Sequence, residues 1–263
     1  MSESFLDQIV AVKREKVEQL KAVTDPAALK ERALAVRQTA ADHRFMAALG
    51  RKDRTNIIAE IKRASPSKGV INNRIDVVRM AERYRDGGAA AISVLTEEDF
   101  FKGSLNDLIA VSNAVDLPIL RKDFVVDEFQ VYESAAAGSD AILLIVAALD
   151  ETQLADLYHL ATNELMIDAI VEVHTPYELE TAARIGANII GVNNRDLKTL
   201  EVSLDLSRSL IVVRPAGALM IAESGVSDKA EIEELRSLGY DGFLIGETLM
   251  RTGDARELLR EWV

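Results

Sequence analysis

The chain has 263 residues, 48% of them hydrophobic, which suits one large α/β domain with a substantial core. It has no cysteine, so disulfides and thiolate metal sites are excluded. With 31 basic against 43 acidic residues the net charge is −12, and such a surface repels nucleic acid and anionic membranes. An anionic substrate would therefore need a local basic pocket.

No apolar stretch reaches the roughly 18 residues that cross a bilayer, and the first eight residues carry no signal pattern. The expected location is the cytoplasm. In chain order, residues 4–21 and 26–37 read as two helices split by Thr24-Asp25-Pro26. They precede the first strand, where they could cover the amino-terminal end of a barrel or reach towards its site. Short apolar runs follow at 56–61, 90–95, 118–120, 141–145, 169–173, 189–192, 219–222 and 243–245. They lack polar alternation, as strands buried on both faces of a parallel sheet do. Amphipathic helices are expected between them, for example at 76–86, 127–137 and 150–162. Asp76 and Asp127 fit N-caps, and Thr175-Pro176-Tyr177-Glu178 reads as a capping box with proline at the first helical position.

The helix ends repeat. Gly88, Gly138, Gly186 and Gly239 each stand between a helix and a strand, spaced 50, 48 and 53 residues apart, and each fits a left-handed C′ position. Such a spacing is two βα units. Residues 56–263 hold eight units of 26. The pattern favours an α/β fold of the (β/α)8 TIM-barrel type with an N-terminal helical extension. The expected layout is a single domain over 1–263, with the extension at 1–50 and the barrel at 51–263. A doubly wound open sheet is the alternative. Its nucleotide-binding form needs a G-x-G-x-x-G turn after the first strand, where this chain has Arg63-Ala64-Ser65-Pro66-Ser67-Lys68-Gly69.

In a parallel barrel the carboxyl ends of the strands build the site. Glu60 and Lys62 end the first strand, two apart and so on one face. Lys122 follows the third, Glu172 ends the fifth, Asn193 and Arg195 follow the sixth, and Glu223 ends the seventh. Any one of these could be a structural ion pair. Seven such groups on neighbouring strands point to acid–base chemistry, because clustered buried charges shift one another's pKa values. Ser224-Gly225 and Gly246-Glu247-Thr248 close the last two strands. Each could be an ordinary βα turn, but the pair matches a recurrent phosphate position in barrels. His43 and His159 lie outside the strand ends. His174 precedes the capping threonine and reads as structural. No metal-ligand spacing exists among the three.

The motif Ile58-Ala59-Glu60-Ile61-Lys62-Arg63-Ala64-Ser65-Pro66-Ser67-Lys68-Gly69 is similar to the signature of indole-3-glycerol-phosphate synthases. The similarity continues through Ser93-Val94-Leu95-Thr96-Glu97, Phe101-Lys102-Gly103, Pro118-Ile119-Leu120-Arg121-Lys122-Asp123-Phe124 and Glu172-Val173-His174. It extends to Gly191-Val192-Asn193-Asn194-Arg195-Asp196-Leu197, Ala222-Glu223-Ser224-Gly225 and Leu244-Ile245-Gly246-Glu247. The resemblance implies ring closure, decarboxylation and dehydration of 1-(2-carboxyphenylamino)-1-deoxyribulose 5-phosphate, without metal or cofactor. It implies Lys122 as general acid, with Glu60 and Glu172 stabilising the positive intermediate and Lys62 and Glu172 sharing the dehydration. Asn193 and Glu223 would hold substrate hydroxyls and orient the lysines, and Arg195 would meet the anthranilate end. Ser65, Ser224, Gly225, Gly246 and the backbone of Glu247 would bind phosphate, and Phe101 and Phe124 would wall the ring. Glu247 departs from the serine of some members. A hydroxyl-dependent contact would be weakened there, and Thr248 could compensate. The expected partner is one small phosphorylated molecule, bound by a monomer. The competing readings are a sugar-phosphate isomerase on the same barrel and a scaffold without activity.

Overall fold

The computed structural model describes residues 4–65, 69–72 and 74–263. Eight parallel strands close into a barrel in chain order: β1 (Ile57–Ile61), β2 (Ala91–Leu95), β3 (Ile119–Lys122), β4 (Ala141–Ile145), β5 (Asp168–Val173), β6 (Ile189–Asn193), β7 (Leu219–Glu223) and β8 (Gly242–Ile245), with β8 pairing back onto β1. All eight expected strands are present, with ends shifted by one or two residues. The largest shift is in β3, which runs on through Arg121 and Lys122. A short antiparallel hairpin, Ala64–Ser65 with Gly69–Val70, follows β1. Pro66, Ser67 and Lys68 of the first-strand motif lie outside the described residues.

Strand alternation sorts the apolar residues into two cores. Inside the barrel, Ile58, Leu120, Leu143, Ile170, Ile189, Ile221 and Leu244 pack together. Outside it, Ile57, Ala59, Ile92, Ile119, Ile142, Val171, Ile190, Met220 and Phe243 meet the surrounding helices. Each inward residue near a strand's carboxyl end sits on top of the inner core. Those positions carry Glu60, Lys122, Glu172, Asn193 and Glu223.

Three helices precede the barrel and take different places. α1 (Phe5–Val23) starts from a Ser4 capping box and sends Phe5, Leu6 and Ile9 to the carboxyl-end cavity. α2 (Pro26–Arg37) lies along α6 (Glu128–Ala136), with Val17, Leu29 and Phe129 forming a small core between the extension and the barrel. The third helix, α3 (Arg44–Leu49), was not foreseen. Its Phe45 and Leu49 plug the amino end of the inner core.

The outer helices behave largely as their signals indicate. Besides α6 they are α4 (Val77–Gly87), α5 (Leu105–Ala114), α7 (Glu151–His159), α8 (Pro176–Arg184), α9 (Asp205–Leu210), α10 (Lys229–Leu238), α11 (Glu247–Arg251) and α12 (Ala255–Trp262). Asp76 and Asp127 cap α4 and α6. Gly88, Gly138, Gly186 and Gly239 all adopt positive φ, between 74° and 117°. Two expectations need correction. The helix expected to 162 ends at His159 and continues as a wide π turn, Leu160–Glu164. At α8 only half of the capping box forms. Thr175 accepts from Glu178 N, but the Glu178 carboxylate accepts from His174 N, one residue upstream, where it also lies 3.4 Å from His174 Nδ1. Among the described residues, no helix is long and apolar enough to cross a membrane.

Candidate active site

A cavity of about 1290 Å³ opens at the carboxyl ends of the strands. Lys122, Lys62, Glu172, Glu60, Asn193 and Glu223 line it, as do Ser65, Phe101, Phe124, Arg195, Ser224, Gly225, Gly246 and Glu247. All fourteen residues singled out from the sequence therefore share one space.

Two lysines organise its floor. Lys122 Nζ lies 2.9 Å from Glu172 Oε2 and 3.2 Å from Glu223 Oε2. Lys62 Nζ lies 2.6 Å from Glu60 Oε2. The strand register explains the grouping, since Glu172 on β5 lies opposite Gly191 on β6, and Asn193 faces Glu223 across β6 and β7. The Asn193 side chain hydrogen-bonds the Glu172 carboxylate and accepts from Arg195 N at 3.1 Å. Gly191 and Gly246 make room for this crowding. A Cβ at Gly191 would collide with Glu223 Oε1, and one at Gly246 with Glu60 Oε2.

Burial and charge drive these groups apart in acidity. Burial alone would lower the Lys122 ammonium, but the Glu172, Glu223 and Glu60 carboxylates outweigh it and raise it, so Lys122 stays charged. Burial would raise the Glu172 carboxyl. The Lys122 ammonium and His174 overcome that and hold it at about 2. Glu223 goes the other way. Burial, reinforced by the neighbouring Glu172 charge, pushes it up to about 7 against the pull of Lys122. One lysine thus sits between a permanent carboxylate and one that titrates near neutrality, a division typical of acid–base sites. Glu223 Oε1 is buried against Gly191 with no hydrogen-bond partner among the described residues.

Above the floor, the Phe101 and Phe124 rings stand 6.2 Å apart, tilted by 40°. Arg195 donates from Nη1 to Leu200 O at 2.9 Å, so the loop over residues 195–202 holds its guanidinium. On the far side, Ser224 and Gly225 take φ of 62° and 88°, and Gly246 leads into α11. The Glu247 carboxylate turns along that helix to Arg251, 3.4 Å away.

Several parts of the site carried no sequence signal. Phe5, Leu6 and Ile9 wall the cavity from α1, and Phe5 meets Phe100 edge-on at 5.3 Å. Lys13 latches α1 down through a buried 2.7 Å ion pair with Asp123, beside Lys122 in the chain. Asp123 is also held by Arg121 and by the Thr96 hydroxyl. An N-terminal helix was legible, but its buried lysine reads like any solvated one. His174 is half-buried, its ring nitrogens inaccessible to solvent, with Nε2 3.4 Å from Glu172 Oε1 and Nδ1 3.4 Å from Glu178 Oε2. His43 is not a plain surface residue, since its Nδ1 lies 2.9 Å from buried Asp168. His159 is exposed at the end of α7.

Comparison with known proteins points one way. A family model described as indole-3-glycerol phosphate synthase matches residues 6–262. The indole-3-glycerol phosphate synthase of Exiguobacterium sibiricum is 45% identical, over 97% of this chain and 95% of that one. The protein of the same name from Carboxydothermus hydrogenoformans is 43% identical, over 97% and 98%. Among solved structures, 3-hexulose-6-phosphate synthase from Salmonella typhimurium superposes with a TM-score of 0.65 at 15% identity, covering 79% of this chain and 96% of that one. The N-acetylmannosamine-6-phosphate 2-epimerase from Clostridium perfringens gives 0.60 at 17%, covering 80% and 92%. At those identities the structural likeness speaks for the barrel alone.

Proposed function

The chain belongs to the indole-3-glycerol phosphate synthase family, and from that premise we propose that it closes the indole ring of 1-(2-carboxyphenylamino)-1-deoxyribulose 5-phosphate, releasing CO₂ and water. The observation that carries the assignment is Lys122. Its ammonium is clamped between two carboxylates of opposite acid–base character at the floor of a cavity with a phosphate-type turn on its rim.

The aromatic carbon that bears the carboxylate attacks the ribulose carbonyl. Negative charge builds on the carbonyl oxygen, and Lys122 donates a proton there. Positive charge left on the ring and nitrogen is stabilised by Glu60 and Glu172. Loss of CO₂ returns the electron pair to the ring. Dehydration then needs an acid for the departing hydroxide, supplied by Lys62, and a base for the ring proton, supplied by Glu172. Asn193 and Glu223 hold the sugar hydroxyls and aim the lysines. Arg195 meets the anthranilate carboxylate. Phe101 and Phe124 flank the ring. Ser65, Ser224, Gly225, Gly246 and the Glu247 backbone take the phosphate, and the two glycines let the chain approach it closely.

On this reading the chain works as a monomer in the cytoplasm, needs no cofactor, and has neither nucleic acid nor membrane as partner. The net charge of −12 supports that reading of partners, while Lys62, Lys122, Arg195 and Arg251 supply positive charge to the cavity itself. The test is turnover. Purified protein given the carboxyphenylamino-deoxyribulose phosphate is expected to yield a product with indole fluorescence and one CO₂ per product. A folded sample without turnover would sink the proposal. Isomerised substrate without CO₂ release would put a sugar-phosphate isomerase in its place.

A further inference from the structure

Of the paired asparagines that end β6, only Asn193 faces the cavity. Asn194 points the other way and is buried. Its backbone N–H donates to Glu223 O at 2.9 Å. Its side-chain Nδ2 donates to Glu223 O and to Ser224 O, both at 3.1 Å. Its Oδ1 accepts from Ser207 N, in α9, at 3.1 Å, and its own carbonyl accepts from Ser203 N at 3.1 Å. One side chain thus ties the end of β7, the turn after it and the start of α9 to a single point.

The turn it grips is unusual. Ser224 carries a side chain yet sits at φ 62°, followed by Gly225 at 88°. The left-handed region is sterically costly for a residue with a Cβ, and such a conformation persists only where its surroundings hold it. Two consecutive carbonyls of this turn are held: Glu223 O by the Asn194 backbone N–H and Nδ2 together, and Ser224 O by Nδ2. A hydroxyl or an aliphatic side chain in its place could not reach both.

We propose that Asn194 is a positioning residue for phosphate: it holds Ser224 in the left-handed conformation, so that the Ser224–Gly225 turn is shaped for the anion before substrate arrives. The inference rests on the phosphate assignment made above and deepens it. Binding to a preformed turn avoids the ordering that a relaxed loop would need, so the effect falls on affinity rather than on the chemical step.

The experiment is Asn194→Ala in the full chain, read by titration with inorganic phosphate, by the KM and kcat of turnover, and by thermal unfolding. The dissociation constant for phosphate and the KM are each expected to rise about tenfold, while kcat stays within about threefold. A Ser224→Gly background separates positioning from general support. Glycine reaches positive φ without strain, so there the Asn194→Ala penalty on phosphate affinity should shrink to about threefold. Wild-type phosphate affinity in Asn194→Ala, an undiminished penalty in the glycine background, or a loss confined to kcat would each overturn the inference. Should the alanine variant fail to fold, Asn194→Ser replaces it. Its hydroxyl reaches at most one carbonyl, and wild-type phosphate affinity there would overturn the inference equally. Failure of the underlying reading looks different. Folded wild-type protein that binds no inorganic phosphate overturns the phosphate assignment and this inference together. Wild-type protein that binds phosphate and turns over substrate, but is indifferent to Asn194, overturns the inference alone.

Discussion

The two ends of the barrel bury polar groups on opposite principles. At the amino end each buried group has matched partners. Asp168 takes His43 Nδ1 at 2.9 Å on one oxygen and Met46 N at 2.8 Å on the other. Asn56 Nδ2 lies 2.8–2.9 Å from the carbonyls of Leu49, Arg51 and Asp241. Asp241 in turn accepts from Met220 N at 2.9 Å and from Arg214 at 3.0 Å. Backbone groups dominate these partners, so the polar side chains there finish hydrogen bonds that closing the barrel leaves open. At the carboxyl end the partners are other charges, across strands for Lys122 and on the same strand for Lys62. Three carboxylates, Glu60, Glu172 and Glu223, share two lysines, and one Glu223 oxygen has no partner among the described residues. The amino end spends its polar groups on stability, and the mouth keeps its groups under tension for chemistry.

The largest effect should come from the lysine at the centre of that tension. Lys122→Met is expected to cut turnover by about two orders of magnitude or more, the scale of a general acid, while circular dichroism shows a native fold. Near-wild-type turnover would remove Lys122 from its role and make the mouth a structural cluster like the other end. The converse change is Asp168→Ala. It strips Met46 N–H and His43 of their acceptor, and should lower stability by about 3 kcal/mol in urea unfolding. The kcat of the folded fraction should stay within about twofold. A kcat that fell in step with stability would show that the two ends are coupled, and the contrast between them would break.

How far this contrast was legible in the sequence differs by end. The strands were readable because each is buried on both faces and therefore apolar throughout. The inward charges at their carboxyl ends stood out against that background. β3 shows the limit. The apolar run stops at Leu120, yet the strand continues, because Arg121 turns outward to Glu133, Ser134 and Asp123 under α6 while Lys122 turns inward to Glu172. Nothing local announces such partners. The same holds for Lys13 on Asp123 and for the short plug α3, whose six residues are too few for a helical period to register. Asn194 was visible as part of a motif, but its grip on the Ser224 turn depends on a contact between neighbouring strands.

Glu223→Gln makes the finest test, because it sets stability against function in a single side chain. Burial and the neighbouring Glu172 raise the folded-state pKa of Glu223 to about 7, above the ordinary carboxyl value of 4.5. Between those values the folded chain binds a proton that the unfolded chain releases. The wild type therefore loses stability as pH rises from about 4.5 through about 7, and the loss is complete above that. A neutral amide of the same shape escapes it. At pH 8 the variant should be the more stable by on the order of 2 kcal/mol, and below pH 4.5 the two should unfold alike. Glu172 has the opposite sign. Held at about 2, it contributes stability that is present above about pH 4.5 and fades as pH falls towards 2, so Glu172→Gln should destabilise where Glu223→Gln stabilises. Turnover of Glu223→Gln should nevertheless fall at least about tenfold, since an amide can neither titrate near neutrality nor hold Lys122 as a carboxylate does. A variant that is both less stable at pH 8 and fully active would mean that Glu223 is satisfied in the way Asp168 is, and that the mouth carries no tension at that strand.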